Sequence, residues 1–164
     1  DAPDYCRWLA DPEVTRLLRH HDNPPTRREE LQYIADQGRR KDTVHWAIDT
    51  SDGIHIGSSS LMKVDRDQRH AEFGILIGDP RYWGQGLGTV AGQLVVHYGF
   101  TRLKLHRIYL HVYAYNLRAQ RSYQRLGFHV EGRLRDHLYR DRAYHDVIVM
   151  GILRPEWGSV KRKT

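Results

Sequence analysis

Apolar positions at helical spacing open the chain. Trp8, Leu9, Val14, Leu17 and Leu18 predict one helix from Asp4 to Leu18. Asn23-Pro24-Pro25 breaks it. Thr26-Arg27-Arg28-Glu29 has capping-box spacing and opens a second helix through about Gln37. The pattern then turns extended. Val44 to Asp49 reads as a strand, Ser51-Asp52-Gly53 as a turn, and Ile54 to Val64 as a second strand. After the polar loop Asp65-Arg66-Asp67-Gln68-Arg69 comes a mostly apolar third strand, His70 to Gly78, which belongs in the centre of a sheet. Leu87, Ala91, Leu94, Val95 and Tyr98 return to helical spacing, and that helix runs to about Leu103. Ile108, Leu110, Val112 and Ala114 alternate with Tyr109, His111, Tyr113 and Tyr115, which is strand periodicity. Leu117 to Leu126 is a helix closed by Gly127, and Phe128 to Tyr139 and Val147 to Leu153 finish as strands. The order predicts a mixed α/β (α+β) architecture. With no internal repeat or linker, residues 1–164 read as a single domain.

Composition narrows the class. A chain of 164 residues buries a core without staples. No apolar run approaches the roughly 20 residues of a membrane-spanning helix, and no signal peptide is expected at Asp1-Ala2-Pro3-Asp4. The single cysteine, Cys6, excludes an internal disulfide and fits a reducing compartment, so a cytoplasmic location is expected. The net charge of +6 is unevenly placed. Between Pro80 and Val130 there is no Asp or Glu, while Arg81, Arg102, Lys104, Arg107, Arg118, Arg121 and Arg125 all fall there. Such a field attracts an anion. The tail Lys161-Arg162-Lys163 reads as a solvated end.

The glycines sharpen the anion's identity. Trp83-Gly84-Gln85-Gly86-Leu87-Gly88-Thr89 sits between the central strand and a helix start. Alternating glycines let backbone approach a ligand, and the helix start offers unpaired N–H groups and a positive dipole end. The loop is read as a phosphate site. Gly86-Leu87-Gly88-Thr89-Val90-Ala91 formally matches a dinucleotide fingerprint, but the acid-free stretch lacks the carboxylate that should follow about 20 residues on. A nucleoside-triphosphate loop needs Gly-Lys-Ser/Thr, which does not occur.

In that context Trp83-Gly84-Gln85-Gly86-Leu87-Gly88 resembles the coenzyme A pyrophosphate loop of the GCN5-related N-acetyltransferases (GNAT), whose pattern is Gln/Arg-x-x-Gly-x-Gly/Ala. Asn116-x-x-Ala119-x-x-x-Tyr123-x-x-x-Gly127-Phe128 is similar to the family's next helix, and Leu105 to Val112 looks like the strand before it. The nearest likeness is to the branch of ribosomal-protein N-terminal and spermidine acetyltransferases, which the ending Tyr144-His145-Asp146 through Leu153-Arg154-Pro155-Glu156-Trp157 also resembles. The resemblance implies a mixed, mostly antiparallel sheet flanked by helices, with acyl-CoA bound where the two central strands splay. It places a strand before the Asp4 helix; the sequence starts at Asp1, so that strand either precedes the given sequence or is absent. Trp83 stands where the family's first loop position is Gln or Arg, which leaves more of the phosphate grip to backbone amides.

The activity implied is direct transfer of acetyl from acetyl-CoA to a primary amine, on a protein N-terminus or a small molecule. The resemblance assigns Tyr123 as the acid that protonates the leaving thiolate and Glu72 as the base, with His111, His70, Asp146 or water as alternatives. Glu72 within an apolar strand is expected to have a raised pKa. Ile75, Leu76 and Ile77 offer backbone groups to the pantetheine, and Asn116 joins them besides capping its helix. Trp83, Gly84, Gln85, Gly86, Leu87, Gly88 and Thr89 hold the pyrophosphate. Arg121 is the chosen partner for a further phosphate among Arg81, Arg118, Arg121 and Arg125. No metal is expected, because the eleven histidines show no ligand spacing with Cys or carboxylates. A homodimer is expected from the family. Nucleic acid is not an expected partner, because zinc-finger, helix-turn-helix and RNA-platform signatures are missing. A non-catalytic acyl-CoA sensor is the alternative. Few acidic residues near the site argue against a polyamine acceptor.

Overall fold

The computed structural model describes residues 2–18 and 26–160. The Asn23-Pro24-Pro25 break and the Lys161-Arg162-Lys163 tail lie outside the described residues. The order is α1 (Ala2–Leu9), α2 (Pro12–Thr15), α3 (Arg27–Arg39), β1 (Val44–Asp49), β2 (His55–Asp65), β3 (His70–Ile77), a single 3-10 turn (Pro80–Tyr82), α4 (Leu87–Thr101), β4 (Arg107–Tyr113), α5 (Leu117–Arg125), β5 (His129–Arg140), β6 (Ala143–Leu153) and α6 (Arg154–Val160). Six strands form one sheet in the order β1-β2-β3-β4-β6-β5. Every pairing is antiparallel except β3 with β4, the two joined through α4.

The predicted first helix is two. Pro12 disfavours helical backbone at the residue before it, and Asp11 is extended at ψ 117°. Its carboxylate then caps the new helix by accepting from Glu13 N at 2.8 Å. The end of this segment is held by the far half of the chain. Tyr113 and Tyr115 hydroxyls donate to the Leu18 and Arg16 carbonyls at 3.0 and 2.7 Å. The Arg140 guanidinium donates to the carbonyls of Thr15, Arg16 and Leu18. Carbonyls at and just past the end of the short helix thus find donors from the far half of the chain.

The capping box of α3 forms as its sequence predicts. Glu29 N donates to Thr26 Oγ1 at 3.3 Å, and Thr26 N donates to the Glu29 carboxylate at 2.7 Å. Thr26→Ala is expected to cost about 1 kcal/mol, read as a lowered urea midpoint with unchanged slope.

The core lies between the sheet and α4, α5 and α6. Leu61, Phe73, Val96, Phe100, Ile108, Leu110, Phe128, Met150, Ile152 and Trp157 are buried together there. Trp157 belongs to α6, an element the strand pattern does not announce. β6 starts earlier than predicted, at Ala143 rather than Val147. Its first residues are polar or exposed because they face solvent in a hairpin. Asp141 and Arg142, both at positive φ (51° and 61°), make the hairpin's tight turn.

Candidate active site

The sheet forks at its centre. β3 and β4 pair only at His70 with Arg107, Ala71 with Ile108 and Glu72 with Tyr109. From Phe73 to Ile77, β3 keeps its β2 partners but has none from β4. In an antiparallel pair, alternate residues turn both backbone groups toward the neighbour. Gly78 N donates to Ile56 O at 2.9 Å, so in step with it Gly74 and Leu76 face β2. Phe73, Ile75 and Ile77 face the fork. Of the three predicted pantetheine partners, Leu76 is therefore committed to the sheet. The Ile77 carbonyl is also taken, by the Trp83 indole N–H at 2.7 Å. The backbone of Ile75 and the amide of Ile77 are the polar groups offered to the gap.

Gly84 and Gly86 stand at φ +77° and +80°, a region open to glycine and costly for other residues. Gly86 is the N-cap of α4 and makes no side-chain cap bond. Gly84, Gln85, Gly86, Leu87 and Gly88 form a run of amides with no hydrogen-bond acceptor among the described residues. Among the described residues nothing lies within 4 Å of where a Cβ would stand at Gly84 or Gly86. Unpaired N–H groups, open space and a helix dipole together make an anion cradle. Side chains around it face elsewhere. Gln85 Nε2 donates to Arg81 O at 2.8 Å, and Thr89 Oγ1 bonds Ser122 Oγ at 2.8 Å, joining α4 to α5.

The basic residues divide. The loop pattern fits in two registers, Trp83-x-x-Gly86-x-Gly88 with Trp at its first position and Arg81-x-x-Gly84-x-Gly86 with Arg there. Arg81 is clamped by Asp79, with Nε donating at 3.0 Å and Nη2 at 2.6 Å, and the carboxylate pairing raises the guanidinium's pKa. Trp83 instead ties the loop to β3, and the Arg118 guanidinium lies 4.0 Å over its ring. Burial of Arg118 there, with Arg16 nearby, lowers its pKa. Arg121 is exposed and donates to Leu117 O at 3.3 Å. Arg125 has no hydrogen-bond or ion-pair partner among the described residues.

At the apex of the fork the Glu72 side chain, only 7% exposed, bridges the strands. One carboxylate oxygen meets His111 Nδ1 at 2.8 Å and the other meets Lys63 Nζ at 2.7 Å. Burial pushes the Glu72 pKa up, but the Lys63 and His111 hydrogen bonds and charges outweigh it and leave the group below its ordinary value. This corrects the raised pKa expected from sequence: partners 9 and 39 residues away decide the sign. Glu72 is an ionised hydrogen-bond acceptor. Asp146 is likewise held, by Arg133 and by the Asp136 amide at 2.8 Å, and its pKa is lowered chiefly by that amide. His70 stands beside the Tyr109 ring, and its Nδ1 is buried without a hydrogen-bond partner among the described residues.

Tyr123 reaches the fork strand from the other face. Its ring packs edge-on against Phe73 at 6.1 Å and tilted against Phe128 at 6.1 Å. No described group hydrogen-bonds its hydroxyl. Burial pushes its pKa up to about 12, so the phenol keeps its proton. Asn116 caps α5 by accepting from Ala119 N at 3.1 Å, and Gln120 fastens the helix to the Tyr113 and Ala114 carbonyls at 3.2 and 2.9 Å. Among the described residues no three His, Cys, Asp or Glu side chains gather as a metal site, and no helix is long and apolar enough to cross a membrane.

A forked mixed sheet with an amide cradle at the head of the central crossover helix defines a GNAT-type acetyltransferase domain. The family model described as "Acetyltransferase (GNAT) domain" matches residues 1–129, and the chain belongs to that family. The spermidine N(1)-acetyltransferase of Escherichia coli (strain K12) is 36% identical over 126 residues, covering 77% of this chain and 64% of that protein. The chain thus spans less than two thirds of that relative's length. The spermidine N(1)-acetyltransferase of Vibrio cholerae is 33% identical over 126 residues, 77% of this chain and 70% of that one. In three dimensions the chain matches a crystal structure of spermidine N-acetyltransferase from Vibrio cholerae in complex with CoA and spermine. The TM-score is 0.88 at 25% identity, over 96% of this chain and 92% of that one.

Proposed function

We propose that this domain transfers acetyl from acetyl-CoA to a small-molecule primary amine. The observation that carries the reading is the run of unpaired amides from Gly84 to Gly88 at the mouth of the fork. It fits a pyrophosphate, and the open backbone of Ile75 and Ile77 fits the amide-bearing arm attached to one. Bound there, acetyl-CoA supplies a thioester whose carbonyl carbon the amine attacks directly, forming the N–C bond as the C–S bond breaks.

The chain's own residues handle the protons. An ionised carboxylate only accepts, so His111 carries its proton on Nδ1, facing Glu72. Nε2 is then the basic nitrogen and takes the proton the amine sheds. Glu72 orients this ring and stabilises the imidazolium formed. Tyr123, protonated throughout the physiological range, donates to the departing thiolate from the opposite face. His70 and Asp146 fall outside this scheme: the first lies beyond the fork, at its paired end, and the second is saturated by Arg133 and Asp136.

The acceptor is framed by two opposed considerations. The relatives named above act on spermidine by name. Here, however, Glu72 and Asp146 are each already paired with a cation, Lys63 and Arg133, which weakens attraction for a polycation. A panel with spermidine, simple monoamines, amino sugars and peptides, read by released coenzyme A thiol, tests the reading. Release driven by an amine supports it. Tight binding of acetyl-CoA with no amine-dependent release across the panel would mean a sensor.

The cradle itself makes a contrast. Gly86→Val should weaken coenzyme A binding by about tenfold or more, since a β-branched residue at φ +80° costs roughly 1–2 kcal/mol and reshapes the loop. Gln85→Ala should change it by less than about threefold, because losing one exposed side-chain bond is worth roughly 0.5 kcal/mol. Isothermal titration with coenzyme A checks both.

A further inference from the structure

β2 departs from its own alternation beside the fork. Leu61 lies in the core, and strict period-2 spacing would send Lys63 to the same side. Instead Val64 packs against the core and the register shifts between Met62 and Asp65. Lys63 takes up the irregularity at φ +50°, a left-handed backbone that a lysine adopts at a cost. The result is that Lys63 joins Met62, the Cα partner of Glu72, on the carboxylate's face, with its ammonium 2.7 Å from Oε2. Its side chain is 60% exposed, so the bulge is spent on delivering a charge and not on packing.

We propose that Lys63 is a positioning residue: the bulge presents its ammonium to Glu72 and thereby sets how strongly that carboxylate holds the His111 ring. This rests on the acetyltransfer reading for its purpose, but not for its measurement. Among the described residues, groups facing Glu72 include Lys63 from β2, His111 and Tyr109 from β4, and His70 two residues along β3. Lys63 is a cation opposing the carboxylate. With Lys63 present, the pull of Glu72 on an imidazolium is partly cancelled. Remove it, and Glu72 holds the His111 proton more tightly. The lowered pKa of Glu72, set in part by Lys63, agrees with this arrangement.

The test is the His111 ring pKa, read by ¹⁵N NMR of the unliganded protein, so that it needs no turnover. In Lys63→Met it should rise by about one unit, a tenfold gain in proton affinity, the scale of one half-exposed charge at this range. Lys63→Arg should restore it. Lys63→Gly should show the same rise with equal or higher thermal stability, because glycine removes the strain at φ +50°. In a Glu72→Gln background the exposed ammonium loses the carboxylate that holds it near the ring, so Lys63→Met should move the His111 pKa little. An unchanged pKa in both Lys63→Met and Lys63→Gly overturns the proposal, as does an undiminished rise without Glu72. In active enzyme the acidic limb of kcat/KM should follow the pKa upward. A pKa that rises in a protein that acetylates no amine would leave the Lys63 assignment standing and sink the acetyltransfer reading instead.

Discussion

Replacing His111 with Ala should lower kcat/KM for the amine by about 10²–10⁴-fold near neutral pH, the usual worth of a placed general base. Coenzyme A affinity should stay within about twofold, because the phosphate cradle is built from the amides of the Gly84–Gly88 loop on the other side of the fork's mouth. The pH dependence distinguishes a base from a mere packing residue. A primary amine loses its own proton near about pH 10. There it needs no base, so the deficit of His111→Ala should shrink as pH rises toward that value. A deficit independent of pH would remove His111 from the base role. Glu72→Gln should cost less, roughly 10-fold, because the ring stays while its orientation and tautomer loosen. Both variants call for a stability control, since Glu72 is buried and pairs with His111 and Lys63.

Tyr123→Phe should slow single-turnover transfer by about 10²-fold, by removing the acid that protonates the thiolate. Burial sets the pH signature. With the phenol's pKa pushed up to about 12, Tyr123 loses its proton only as pH rises through that value. The wild-type advantage over Tyr123→Phe should therefore persist undiminished at about pH 10, where an unperturbed tyrosine would be half ionised. The packing role is separable. The substitution removes only the hydroxyl and keeps the ring contacts with Phe73 and Phe128, so thermal stability should change little. Equal single-turnover rates for the two proteins would return Tyr123 to a plain core residue.

Much of this was legible in the sequence wherever local chemistry decides local structure. The capping box at Thr26 and the turn from strand to glycine loop to helix at Gly84–Gly88 both formed where the pattern placed them. So did the cap at Asn116. The misses have a common physical origin in partners distant along the chain. Nothing local marks Lys63 as left-handed: the bulge follows from fitting β2 to β3 while Val64 stays in the core. The direction of the Glu72 pKa depends on that same bulge and on a strand 39 residues later. The resemblance groups Leu76 with Ile75 and Ile77, whereas the edge each amide faces is set by pairing with β2. One signal was present and outweighed: Asp11-Pro12 carried a break signal that the apolar spacing overrode.

If acetyl moves straight from coenzyme A to an amine held over the fork, a single-turnover quench with acetyl-labelled acetyl-CoA and excess protein, followed by mass analysis of protein, coenzyme and amine, should show it. Label should pass from coenzyme to amine, matched one for one by free coenzyme A thiol, with no labelled protein at any time. Label that accumulates on the protein before reaching the amine, or that stays on the coenzyme at saturating amine, would contradict it.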